Sequence, residues 1–295
     1  MNAIDLKVFE AVARHGSMNR AASELNTVQS NVTGRVRALE LELGVLLFQR
    51  HARGVKVTSA GRRMLPFSAR ISKLLRDAGV AARDDGIPSG VLEIGTLETT
   101  AAVRFPSMVA NFTKAHPKVR LVVTTGTTSS LVEDVVECRL EGAFVAAPVD
   151  HPDLQQESVF REELVLVTPR SIRRIEDLSS INELKTIVFR AGCSYRARLE
   201  NLLNNVGILI AQPLEFGSIE AILGCVAAGV GITLLPKGVV AAAWRESQVA
   251  VHQLEPEFAE MQTMFIRRTD AYVSSALSTF LQIVRPDTEL QIAAE

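Results

Sequence analysis

The chain is poor in cysteine, has no long uncharged run and carries no catalytic histidine pattern, and each shortage removes a class of function. Its three cysteines, Cys138, Cys193 and Cys225, form no CxxC pair. Neither a disulfide framework nor a thiolate metal site is expected, and a reducing compartment, the cytoplasm, fits best. The longest uncharged run, residues 221–236, falls short of a bilayer span, which needs ~20 apolar residues. It also carries Gly224, Gly229 and Gly231 and ends at Pro236, so it reads as a buried helix, a turn and a strand. Asp5, Lys7 and Glu10 stand where an export signal is apolar, so secretion is not expected. The five histidines (His15, His51, His116, His151, His252) make no HExxH or similar pair. There is no P-loop, and the glycines near 224–231 do not make GxGxxG. No metal, no cofactor and no enzymatic activity are therefore expected.

The chain also lacks net charge, at −1, but the two signs are segregated. Residues 1–87 hold 14 Lys/Arg against 8 Asp/Glu, a net of +6, and residues 88–295 hold 18 against 25, a net of −7. That asymmetry fits a polyanion-binding head on an acidic body, and equally a solvated basic face.

The head is helical. Leu6, Phe9, Val12 and Ala13 form an apolar stripe that Gly16 can end. Asn19 can cap a short second helix through Leu25, and Thr27 a third. On the third, Val28, Val32, Val36, Leu39 and Leu43 fall on one face and Gln29, Ser30, Thr33 and Arg37 on the other, with Asn31 and Arg35 nearby. Two helices joined by a tight turn, the second with an apolar back and a hydrogen-bonding front, predict a helix-turn-helix. Amides pair bidentately with adenine and arginines with guanine, while small hydroxyls allow close approach to the groove floor. Asn19, Arg20 and Thr27 border this front. In a lone helix such a front is ordinary surface, but the next segment is a basic hairpin. Residues 47–61, LFQRHARGVKVTSAG, read as strand, turn at Ala52-Arg53-Gly54 and strand, with Arg50, Arg53 and Lys56 placed for phosphates or a minor groove. Thr58 can cap a long helix to about Asp84, in which Met64, Phe67, Ile71, Leu74, Ala78 and Ala81 recur at heptad spacing. That seam suggests pairing in trans, or packing on the same chain. Pro66 is expected to kink the helix near its start.

Residues 6–50, LKVFEAVARHGSMNRAASELNTVQSNVTGRVRALELELGVLLFQR, continued through VTSAG, resemble the LysR-type transcriptional regulators in their Ala-Ala, Leu, Gln, Leu-Glu, Leu-Gly, Leu-Phe, Arg and Thr-x-Ala-Gly pattern. The rest of the chain resembles them more loosely. The resemblance implies a winged helix-turn-helix, a linker-helix dimer and a two-lobed effector domain of the periplasmic-binding-protein type. It implies operator DNA, a small-molecule effector and a second copy of the chain as partners, in a dimer of dimers, with RNA polymerase a further candidate. Family members often carry Ser where Thr33 stands and a larger residue where Gly34 stands, so operator preference does not carry over.

The body alternates strands and helices after a polar hinge, DDGIPS at 85–90, and predicts an α/β domain with mostly parallel strands. Strands are expected at 91–95, 119–126, 142–147, 163–169, 186–190, 214–217, 231–236 and near 262–267, and helices at 100–114, 129–140 and 272–284. The expected domains are 1–58, 59–87 and 88–295. The resemblance places lobe crossings near Arg161 and Arg267, giving lobe I about 88–161 with 267–295 and lobe II about 162–266. Ligands in such folds sit beyond strand carboxyl ends. Hydroxyls gather there: Thr99 and Thr100 beside Glu98, Thr127, Thr128 and Ser129, Cys193 and Ser194 with Arg196, and Ser218 beside Glu220. Each reads as a helix cap, or together as an anion site on free helix amides. Cys193, ahead of a helix, is a candidate for a lowered pKa and hence a thiol-redox switch, although no base accompanies it for catalysis. A body that only oligomerises, on a constitutive architectural DNA-binding protein, is the other alternative. A solute-binding protein is disfavoured, because the head would have no purpose.

Overall fold

The computed structural model describes residues 1–284 apart from 52–53, 182–183, 206 and 209–212. The chain forms two compact units: Met1–Asp84 with Glu137–Arg139, and Asp85–Val136 with Leu140–Glu295.

In the first unit α1 spans Ala3–His15, α2 Met18–Glu24 and α3 Gln29–Leu43. The Asn2 side chain accepts from the backbone of Ile4 and Asp5, and Gly16, at φ 58°, closes α1 in the left-handed region that glycine adopts without strain. The cap of α2 is Ser17, not Asn19. The cap position of α3 is Val28, which offers no side-chain bond, and Thr27 Oγ1 instead accepts from Asn31 Nδ2 at 2.9 Å. Val32, Val36 and Leu39 are buried against α1 and α2 residues such as Phe9, Val12 and Ala21. Val28 and Leu43, expected on the same face, are exposed at the ends of the helix. Strands β1, Phe48–His51, and β2, Gly54–Val57, pair antiparallel as a hairpin. Glu40, buried on α3, accepts from the backbone N–H of Leu47 and Phe48 at 2.8 and 3.0 Å and so ties the hairpin to the helix.

Helix α4, Ser59–Ala81, starts at Thr58, whose hydroxyl accepts from Gly61 N–H, and continues across Pro66. The Ser68 and Ser72 hydroxyls donate to Glu10 Oε1 at 2.5 and 2.9 Å, which seats α4 on α1. Phe67, Ile71 and Leu74 are exposed, as are Ala78 and Ala81, while Met64 is half-buried.

The second unit runs β3 (Gly90–Leu97), α5 (Glu98–Val103), α6 (Phe105–Ala115), β4 (Val119–Gly126), α7 (Thr128–Val136), β5 (Gly142–Ala146) and β6 (Leu154–Thr168). It continues through a short 3-10 turn (Ile175–Ser180), β7 (Ile187–Phe189), α8 (Ser194–Asn205), β8 (Leu214–Phe216), α9 (Ile219–Ala227), β9 (Thr233–Pro236) and α10 (Lys237–Arg245). Last come β10 (Ala250–His252), α11 (Pro256–Ala259), β11 (Glu260–Arg268) and α12 (Ser275–Val284).

The sheet is mixed rather than mostly parallel. β3 pairs parallel with β4 and β5, and β7 with β8, but β11 runs antiparallel to both β5 and β6, and β6 antiparallel to β9 and β10. Periodicity marks buried strands but not their direction. The expected helix 100–114 is two, α5 and α6, broken at Arg104. The strand expected at 163–169 begins at Leu154; its first half is mostly exposed, with only Leu154 and Val159 buried, and lacks the apolar run of its second half. Its second half is apolar throughout because both faces are covered: Leu164 and Leu166 enter one core, Val165 and Val167 another.

β6 changes partners along its length, from β11 over Leu154–Glu163 to β9 and β10 over Leu164–Thr168. The first lobe crossing therefore lies near Glu163. All of β11 pairs with lobe I strands, so the second crossing precedes Glu260 and not Arg267. A phenylalanine cluster of Phe105, Phe112, Phe144, Phe265 and Phe280 fills lobe I under α6 and α12, with ring centroids 5.0–5.3 Å apart in its closest edge-on pairs.

Candidate functional site

The outward front of α3 carries Gln29, Ser30, Asn31 and Arg37 exposed and Thr33 half-buried. Its amides are partly self-engaged, with Gln29 Nε2 donating to Thr33 Oγ1 at 3.1 Å. Arg37 has no hydrogen-bond or ion-pair partner among the described residues. Arg35 does not belong to this front: its guanidinium donates to Asp5 Oδ1 at 2.9 Å and joins α3 to α1. Asn19 and Arg20 are exposed on α2, with the Arg20 guanidinium on the His15 carbonyl. On the hairpin, Gln49 faces Lys56 and Arg50 faces Val55. Residues opposite each other share a face, so Arg50 and Lys56 leave the hairpin on opposite sides. Arg53 lies outside the described residues.

In the second unit a cavity of about 430 Å³ opens between the lobes. Lobe I contributes Leu97, Glu98, Thr99, Thr125, Gly126, Thr127 and Ser130. Lobe II contributes Phe189, Arg190, Ala191, Cys193, Tyr195, Phe216 and Gly217. Hydrogen bonds and a close backbone approach join the lobes beside it. Thr99 Oγ1 and the buried Tyr195 hydroxyl lie 2.9 Å apart, and Ser194 Oγ donates to Thr128 Oγ1 at 3.1 Å. The Ser129 N–H donates to the Gly192 carbonyl at 3.3 Å. Gly192 sits at φ +88°, and a Cβ there would meet Ser129 Cβ at 2.9 Å, so only glycine lets the lobes approach this closely.

Of the expected effector residues, Glu98, Thr99, Thr127 and Cys193 line the cavity. Thr100, Thr128, Ser194, Arg196, Ser218 and Glu220 do not. Thr100 is buried outside it, Thr128 and Ser194 bond each other, and Ser218 caps α9 through Ala221 N–H. Glu220 is exposed in the first turn of α9. Arg196 pairs with Glu200 and Glu215 at 2.9 and 2.5 Å, bonds that raise its pKa and take it out of play. The α7 amides expected to be free are partly used, Ser129 N–H by Gly192 and Ser130 N–H by Thr127 Oγ1. Burial pushes the Cys193 thiol above its ordinary pKa, against backbone N–H groups of Arg196 and Tyr195 that pull it down, which is the reverse of an activated nucleophile. Burial raises the Tyr195 hydroxyl as well, so it stays protonated. Arg190 was not singled out from the sequence, since it ends a strand with no periodic signal of its own. It is exposed at the cavity wall, with no hydrogen-bond or ion-pair partner among the described residues.

Comparison with known proteins bears on both units. Residues 4–62 match the bacterial regulatory helix-turn-helix protein, lysR family, and residues 85–288 match the LysR substrate binding domain. This chain belongs to the LysR family of transcriptional regulators. The HTH-type transcriptional regulator GltR of Bacillus subtilis (strain 168) is 42% identical over 294 residues, covering 97% of this LysR-family chain and 99% of that protein. Among solved structures, a full-length OxyR variant from Pseudomonas aeruginosa has a TM-score of 0.72 at 18% identity, covering 97% of this chain and 98% of that one. Full-length CbnR complexed with its target DNA has a TM-score of 0.63 at 25% identity, covering 96% and 99%. The LysR-family regulator thus pairs a DNA-binding helix-turn-helix with an effector-binding domain. No helix among the described residues is long and apolar enough to cross a membrane.

Proposed function

We propose that the regulator reads operator DNA with the front of α3, as an oligomer, and is gated by a small organic anion held between the lobes. The observation that carries the reading is the two-sided character of α3: Val32, Val36 and Leu39 buried behind, Gln29, Ser30 and Arg37 exposed in front. Gln29, Ser30, Thr33 and Arg37 read bases, and Arg50 and Arg53 hold the backbone. The exposed apolar stripe of α4 supports pairing of two chains through Phe67, Ile71 and Leu74, with effector domains joining dimers into a tetramer. Such a protein acts where the chromosome is, in the cytoplasm, with RNA polymerase as its downstream partner.

The cavity supports the anion, since Arg190 presents to it a cation without a partner among the described residues. An effector changes DNA binding only if it favours one lobe arrangement over another. The contacts Thr99–Tyr195, Thr128–Ser194 and Ser129–Gly192 are the bonds it has to trade against. The raised Cys193 thiol speaks against a redox switch, and the cavity against a body that only oligomerises.

Competition gel shifts test the reading. Gln29→Ala should relax selectivity at one half-site position at a cost of ~1–3 kcal/mol, while Arg50→Ala should weaken all sequences alike and flatten the salt dependence. Intact selectivity in Gln29→Ala would put the recognition front elsewhere.

A further inference from the structure

The effector cavity carries two unspent charges of opposite sign. Arg190 stands on the lobe II wall and Glu98 on the lobe I wall, and neither has a hydrogen-bond or ion-pair partner among the described residues. The other charged side chain considered for the site, Arg196, is spent on Glu200 and Glu215 and does not reach the wall. The remaining lining is uncharged. Phe189, Phe216, Leu97 and Tyr195 supply apolar surface, and the Thr99 and Tyr195 hydroxyls are occupied with each other. An Arg and a Glu set on opposite walls, and not paired with one another, leave two complementary demands on whatever enters. A lone anion satisfies Arg190 and brings its charge into a site that also holds the Glu98 carboxylate. A lone cation does the reverse.

From this we infer that the effector is a zwitterion of amino-acid size, its carboxylate on Arg190, its cationic nitrogen on Glu98 and an apolar side group between Phe189 and Phe216. The inference rests on the anion reading of the cavity and narrows it. Because the two charges come from different lobes, one ligand that engages both spans the cleft and stabilises a single lobe arrangement, which is what gating requires. The guanidinium fork matches a carboxylate bidentately, and such a charge-assisted pair is stronger than a neutral one.

The test is calorimetric titration of the full chain with two probe series: L-phenylalanine, 3-phenylpropionate and 2-phenylethylamine, then L-leucine, 4-methylpentanoate and 3-methylbutylamine. In at least one series the amino acid should bind, and both its truncated analogues should bind at least tenfold more weakly. Arg190→Gln should bring the amino acid down to the level of the amine, and Glu98→Gln to the level of the acid. Arg190→Lys and Glu98→Asp keep the charge and should recover part of the loss, which separates a charge effect from misfolding. An acid that binds as tightly as its amino acid overturns the zwitterion and leaves the anion reading standing. Silence from all six probes at millimolar concentration overturns it too, while the gel-shift selectivity of Gln29→Ala continues to judge DNA recognition separately.

Discussion

The head and the body are both rich in surface polar groups, and they treat them in opposite ways. On α3 the front is left open: Ser30 and Arg37 face solvent, and the bonds among Gln29, Thr33, Asn31 and Thr27 are short-range and exchangeable. Along α4 the open surface is apolar, with Phe67 at 65% exposure. In the body the hydroxyls of Thr99, Thr128, Ser194 and Ser218 are engaged by bonds between the lobes or by capping, and the charge at Arg196 is met by two glutamates. Among the charged groups of the described cavity wall, Glu98 and Arg190 stay without a partner. A macromolecular partner is met by a broad open face, whereas a small ligand is selected by the few groups that the fold leaves unsatisfied.

The largest break in this contrast would come at α4. If its open stripe is completed by a second copy, Ile71→Glu buries a charge in that seam at a cost of about 3 kcal/mol or more. Sedimentation should then show smaller assemblies, with operator affinity falling alongside. An unchanged mass together with an unchanged affinity would mean that the stripe is idle surface.

A second measurement asks whether the body is as closed as described. Thr99→Val strands the buried Tyr195 hydroxyl, a loss of ~1–3 kcal/mol in body stability. Thr100→Val, buried but outside the cavity and the inter-lobe bonds, should shift the melting curve less. Equal shifts for the two variants would remove the Thr99–Tyr195 bond from the account.

The openness of α3 has its own probe at Gly34. It is exposed, and a Cβ there meets nothing within 4 Å. Gly34→Ala should stabilise the head by ~1 kcal/mol, the helix preference for alanine. If operator affinity falls in the same variant, the backbone at Gly34 approaches DNA closely. If affinity is kept, the glycine is merely tolerated.

The smallest effect concerns the thiols. Because burial raises Cys193, its folded-state contribution is present below the ordinary thiol pKa, ~8.5, and is lost as pH rises through the raised value. Iodoacetamide should therefore label half-buried Cys225 first, and Cys193 only slowly at neutral pH. Rapid labelling of Cys193 would reopen the redox alternative.

Much of the head was legible because its information is local. Helix periodicity marked α1, α3 and α4, Gly16 closed the first helix as expected, and Thr58 capped the fourth. The exceptions were local competitions that the pattern leaves undecided: Ser17 rather than Asn19 caps α2, and Arg35 is drawn to Asp5 across the fold. In the body, strand positions were readable from apolar runs, but β10 and the first half of β6 carry no such run. The mixed sheet direction and the crossing ahead of Glu260 depend on which distant strand each edge finds. The cavity followed the same rule. Glu98, Thr99, Thr127 and Cys193 were found by their place at strand ends, while Thr125, Ser130, Arg190, Tyr195 and Phe216 join them only when the two lobes face each other.

By itself, then, the sequence determined the helix-turn-helix, its hairpin, the long fourth helix and the alternating body, since backbone hydrogen bonding and side-chain periodicity act over a few residues. Tertiary structure alone decided which polar groups remain unsatisfied. That outcome depends on partners far apart in the chain: Tyr195 for Thr99, Ser194 for Thr128, Glu215 for Arg196, and among the described residues none for Arg190.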